Sequence, residues 1–69
     1  MEVNKNYVIQ LMSAKKLTMG NLAKKAGVST STISRWLNGK RGAGRQLMSG
    51  IHKAFPNEPI DKLFFLDSV

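Results

Sequence analysis

The chain has no cysteine. That excludes disulfides and thiolate metal sites, and it fits a reducing cytosol. Acids are almost as scarce. The 55 residues from Val3 to Asn57 contain no Asp or Glu, and the four acids, Glu2, Glu58, Asp61 and Asp67, lie near the ends. His52 is the one histidine, and it reads as a helix-flank residue rather than a ligand. With no carboxylate in the interior, no side-chain pair offers a nucleophile and its base, so the expectation is no enzyme, no metal and no cofactor. No apolar run approaches the ~20 residues that cross a bilayer. No long apolar stretch follows Lys5, so neither a signal peptide nor a membrane span is expected, and the location expected is cytoplasmic. Repeats, low-complexity tracts and convincing period-2 alternation are also missing.

What is present is positive charge. The chain carries +7 on 69 residues, and ten of its eleven Lys and Arg fall inside the acid-free stretch. Such a surface repels itself unless a polyanion compensates it. DNA or RNA is the partner this favours; a basic surface that only aids solubility is the plain alternative. A membrane-surface helix fits less well, because the cations are spread over several segments. A chain this short predicts one domain, residues 1–69, with a small core and marginal stability.

The periodicity predicts five short helices. The first covers about Lys5 to Lys15, with Val8, Leu11, Met12 and the stem of Lys15 on one stripe, Tyr7 beside it and Asn4 or Asn6 as cap. Thr18 caps a second helix, about Met19 to Ala26, whose inner face is Leu22, Ala23 and Ala26 and against which Leu17 can staple. Gly27 takes the left-handed position that ends it, and Val28 plugs the turn. Ser29 then caps a third helix, about Thr30 to Leu37, with Ile33, Trp36 and Leu37 inward. Two helices joined this tightly cross steeply. A fourth helix covers about Arg45 to Ala54, with Leu47, Met48, Ile51 and Phe55 as core and Pro56 as its stop. Gly50 inside it has no explanation at this level. Asn57 is the expected cap of a fifth helix with Pro59 in its first turn; Ile60, Leu63 and Phe64 are its apolar face, and Phe65 and Leu66 finish it.

Two stretches stand out from this frame. Thr30, Ser31, Thr32, Ser34 and Arg35 occupy the outer faces of the third helix, although Ser and Thr are indifferent helix formers. Hydroxyls can exchange hydrogen bonds with base edges, a Thr methyl can touch a thymine methyl, and Arg can grip guanine with two hydrogen bonds. The residues themselves leave this reading level with a second, in which they are tolerated surface positions on a helix held by Ile33 and Trp36. The loop Lys40-Arg41-Gly42-Ala43-Gly44-Arg45 follows, with three cations and glycines whose N–H groups can approach phosphate; it also reads as a flexible connector.

Leu17-Thr18, Leu22-Ala23, Gly27-Val28-Ser29, Ile33-Ser34 and Asn38-Gly39-Lys40 stand at the separations of a known motif. The segment Leu17 to Gly39 resembles the helix-turn-helix of the phage repressor/Cro-like (XRE) family, and the resemblance extends more loosely over nearly the whole chain. It implies an all-α, five-helix lambda-repressor-like fold whose third helix enters the major groove. Carried over by position, it makes Thr30, Ser31 and Arg35 base readers, with Thr32 near them. Thr18 and Asn38 meet phosphate at helix ends, and Lys40, Arg41, Arg45 and Gln46 meet it from the loop and the start of the fourth helix. The chain departs from the family pattern in three places. Met19 stands where many members have Gln, Met12 and Leu37 stand where some have a buried Arg–Glu pair, and glycine replaces a proline that often starts the fourth helix. Replacing a buried ion pair by apolar groups can be neutral or stabilising, so the fold expectation stands.

The function this implies is a sequence-specific regulator that binds double-stranded DNA, of Cro/repressor type and from a phage or mobile element, working in bacterial or host cytoplasm. The alternative is an antirepressor or antitoxin-like module on the same fold that binds another phage regulator. Phe64, Phe65 and Leu66 are then the candidate surface for that partner or for a homodimer.

Overall fold

Local capping sets most of the architecture. In the computed structural model, which describes residues 2–65, three side chains accept hydrogen bonds from backbone N–H groups at helix starts. Asn4 accepts from Tyr7 N at 3.2 Å and opens α1 (Lys5–Lys15). Thr18 Oγ1 accepts from Asn21 N at 3.1 Å and opens α2 (Met19–Ala26). Ser29 Oγ accepts from Thr32 N at 3.1 Å and opens α3 (Thr30–Leu37). Each such cap satisfies an N–H that the helix cannot pair internally. Gly27, at φ 74°, ends α2 by donating its N–H to the Ala23 carbonyl, and the turn to α3 follows at once.

α1 ends differently. Lys16 holds the left-handed conformation, φ 55° and ψ 44°, while its N–H closes onto Met12 and Ser13. An L-residue there costs about 1 kcal/mol that glycine does not. Lys16→Gly is therefore expected to stabilise the fold by about 0.5–1 kcal/mol, read as a higher urea midpoint at unchanged m-value.

α4 (Arg45–Ala54) has no side-chain cap at Gly44, and Phe55 closes it by donating its N–H to the Ile51 carbonyl. α4 lies against α2 so closely that a Cβ built on Gly50 would sit 2.5 Å from the Ala26 carbonyl oxygen and 3.0 Å from the Ala26 Cβ. This explains a glycine that costs helix propensity: the helices cross where only a hydrogen fits. Val8, Leu22, Ile33, Trp36, Leu47, Ile51, Phe55 and Leu63 meet in the core, with Leu11, Met12, Leu17, Val28 and Leu37 packed around it. Met12 and Leu37 thus fill apolar space where a buried ion pair was the alternative.

The C-terminal end departs from the sequence expectation. α5 is shorter, Ile60–Leu63, and starts after Pro59 in extended conformation; Asn57 makes no capping hydrogen bond to it. Phe64 and Phe65 do not finish the helix. They form β2 (Phe64–Phe65), antiparallel to β1 (Glu2–Val3), with Val3 opposite Phe64 and Glu2 opposite Phe65. Asn4 reinforces the closure, donating its backbone N–H to the Leu63 carbonyl at 2.7 Å and its side-chain amide to the Lys62 carbonyl at 3.3 Å. Pairing to the N-terminal strand gives the Phe64–Phe65 backbone partners for groups that the end of a short helix would leave open. Phe64, 5% exposed, is a core residue, so it cannot form the partner surface expected of it; Phe65 is 58% exposed. Leu66, the third residue of that expected surface, lies outside the described residues. Nearby, Tyr7 donates its hydroxyl hydrogen bond to Glu58 Oε1, and that carboxylate pushes the Tyr7 pKa above the ordinary phenol value.

Candidate nucleic-acid interface

The α2–turn–α3 unit is held from inside and presents its outside to solvent. Ile33 and Trp36, one turn apart on α3, are buried. Thr30, Ser31 and Arg35 lie on the opposite side and are exposed, with Ser34 half-exposed between them. These four residues and Met19, the first residue of α2, line one shallow groove of ≈ 300 Å³. The fold therefore brings three of the expected base readers together and adds two neighbours. Ser34 is legible from helical spacing, since it follows Thr30 by four. Met19 joins only because the tight turn returns the start of α2 beside α3.

Thr32 is placed otherwise. It is half-buried and does not line this groove. Its hydroxyl lies 2.9 Å from Ser29 Oγ, and its N–H donates to the same oxygen. The side chain is thereby engaged with the cap of its own helix, a Ser-x-x-Thr pairing that the sequence contains.

The expected phosphate contacts divide into groups. Thr18 is exposed at the start of α2, where unpaired N–H groups and the helix dipole favour an anion. Asn38, exposed at the other end of the unit, donates from Nδ2 to Ser34 Oγ at 3.4 Å. The loop then folds back: Lys40 N donates to the Arg35 carbonyl at 2.8 Å, and Gly39, at φ 73°, makes the turn that allows it. Lys40 and Arg41 are exposed beside α3. Arg41 also lines a second groove with Glu2, Lys5, Trp36, Gly42 and Ala43, in which Lys5 Nζ stands 5.8 Å from the Trp36 ring centroid. Lys5 is thus a cation of this flank that no local signal joined to the loop. Arg45 and Gln46 are exposed at the start of α4 but border a third groove with Gly27, Ser49 and Lys53, which shares no residue with the α3 groove.

Among the described residues, no three His, Cys, Asp or Glu side chains converge as a metal site, and no helix is long and apolar enough to cross a membrane. The α3 groove is lined by hydroxyls, one guanidinium and one thioether, with no acid. Its hydroxyls and guanidinium can exchange hydrogen bonds and attract negative charge, and its remaining surface is apolar.

A family model described as helix-turn-helix matches residues 8–63. This chain belongs to the XRE-type helix-turn-helix family. As an XRE-type domain it is of a DNA-binding transcription-regulator class rather than an enzyme class. The match begins inside α1 and ends with α5, so both strands lie outside it. A curated relative, the uncharacterized HTH-type transcriptional regulator YvzC of Bacillus subtilis (strain 168), is 37% identical over 68 residues, covering 99% of this XRE-family chain and 87% of the relative. No solved structure matches the chain.

Proposed function

We propose that this protein is a sequence-specific regulator of transcription of the Cro/repressor kind, phage or mobile-element in type, that binds double-stranded DNA as one helix-turn-helix domain. α3 enters the major groove, and occupancy of the site blocks or redirects polymerase. The observation that carries this reading is the α3 groove. Thr30, Ser31, Ser34 and Arg35 converge on one solvent-facing surface that no described acid lines, and cations follow directly in the loop. A helix held only by Ile33 and Trp36 would tolerate any polar residues outside; it would not need three hydroxyls gathered with a guanidinium. Family membership and the named relative support the same class of function.

In this reading Thr30, Ser31 and Arg35 contact base edges, and Thr32 supports them by holding the start of the helix. Thr18, Asn38, Lys40 and Arg41 contact phosphates, with Arg45 and Gln46 reaching the backbone at its flank. Arg35→Ala and Lys40→Ala separate the two roles. Losing Arg35, if it grips guanine through two hydrogen bonds, costs about 1–3 kcal/mol at one base pair and relaxes the preference there. Losing Lys40 weakens all duplexes alike and lowers the slope of log K against log salt by about 1. Titrations of cognate and singly substituted duplexes at several salt concentrations check both. An Arg35→Ala protein that discriminates bases as the parent does removes Arg35 from the reading role.

A second reading keeps the fold and changes the partner. Phe65 and Ile60, 50% exposed, leave apolar surface at the α5 end. Tight binding to another regulator without sequence-selective DNA binding would favour it.

A further inference from the structure

Each residue lining the α3 groove can donate or accept a hydrogen bond through its side chain, except Met19. Met19 is nevertheless 42% exposed. Among the described residues, the other large apolar side chains that stand as open to water, Ile9, Ile60 and Phe65, line no part of that groove. An apolar side chain beside hydrogen-bonding ones loses hydration cost only when its ligand presents an apolar patch at that point. In the major groove, base edges present donors and acceptors, bare C–H positions such as cytosine C5, and one apolar group that stands out from the edge, the C5-methyl of thymine. A donor or acceptor pressed against the thioether would lose its water and gain no partner, which is costly. Methionine is unbranched and polarizable, so it can close over a methyl group from the rim of a groove.

We infer that Met19 is a specificity-determining residue, its side chain facing across the groove from Thr30, Ser31, Ser34 and Arg35 and covering the C5-methyl of one thymine. This rests on the DNA-binding function proposed above and adds to it a named base feature and a residue of α2. Met19 sits at the first position of its helix, where the caps on both helices fix its backbone relative to α3. It supplies selectivity in both senses: it favours the methyl group and penalises a bare polar edge.

The experiment begins with duplexes recovered by the full chain from a random-sequence pool. In the recovered duplex, each thymine is replaced singly by deoxyuridine, which removes the methyl and nothing else. Affinities are measured at one salt concentration for the parent and for Met19→Ala. Because Met19 is exposed, the variant should keep the parent's helical circular dichroism. The expected result is one thymine whose methyl is worth about fourfold in affinity to the parent and nothing to Met19→Ala. If the parent binds a preferred sequence but no thymine-to-deoxyuridine change distinguishes it from Met19→Ala, the inference is overturned and the DNA-binding function stands. Uniform weakening of Met19→Ala on every duplex, with no thymine singled out, also overturns it, because that marks a sugar contact. If the pool yields no preferred sequence, both fall together.

Discussion

Gly50→Ala is expected to destabilise the protein by about 2–3 kcal/mol, at the upper end of what overpacking costs. In an ordinary helix the same change would stabilise by about 1 kcal/mol through propensity, so the sign itself is diagnostic. The added Cβ would lie 2.5 Å from the Ala26 carbonyl oxygen and 3.3 Å from its carbon. Those are backbone atoms at the last turn of α2 and cannot rotate aside. Relief requires α2 and α4 to move apart, and α2 is the element against which α3 is set. The change should therefore be felt twice: in a lower urea midpoint, and in weaker DNA binding by whatever fraction stays folded. Gly50→Ala with unchanged or raised stability would show that the two helices are not in contact at this point.

Trp36→Ala is expected to cost more, about 3–5 kcal/mol, as for large aromatic-to-alanine changes in a core. The indole is 3% exposed and is the largest side chain in the buried cluster. It holds α3 from below, one turn after Ile33, and supports the Lys5 ammonium 5.8 Å above its ring. For a chain of this size the whole stability is about 3–10 kcal/mol, so Trp36→Ala should be largely unfolded at room temperature, visible as lost helical circular dichroism. Trp36→Phe, which keeps an aromatic ring in the space, should remain folded. The pair separates loss of volume from loss of the indole.

The contrast between these two residues shows what was legible in the sequence. Trp36 belongs to a local pattern, Ile33-x-x-Trp36-Leu37, and its burial follows from helical spacing alone. Gly50 owes its identity to Ala26, which is on another helix, and no window around Gly50 contains that reason. The starts of α1, α2 and α3 and the end of α2 were legible because Asn4, Thr18, Ser29 and Gly27 act on neighbours three or four residues away, and the end of α4 because Pro56 cannot continue a helix. The end of the chain was not. Two-residue strands are too short to show alternation, and the pairing of Val3 with Phe64 joins opposite ends of the sequence. An apolar Phe-Phe-Leu run after a helix reads equally as another turn until its partner is known.

The candidate site divides along the same line. Thr30, Ser31 and Arg35 could be named from one helix, and the structure gathers them in one groove. Met19 enters that groove, and Lys5 stands beside Arg41, through tertiary contacts that spacing does not encode. Thr32 leaves the group because its hydroxyl is taken by Ser29, an interaction written in the sequence but outweighed there by its place in a row of hydroxyls.

Selection of bound duplexes from a random pool shows whether α3 reads sequence. If α3 reads sequence, the recovered sites form a narrow set, with a guanine whose preference disappears in Arg35→Ala. Recovery of sequences no different from the input pool, by a protein that still binds duplex DNA in a salt-dependent way, would contradict it: the basic surface would then hold DNA without α3 reading it.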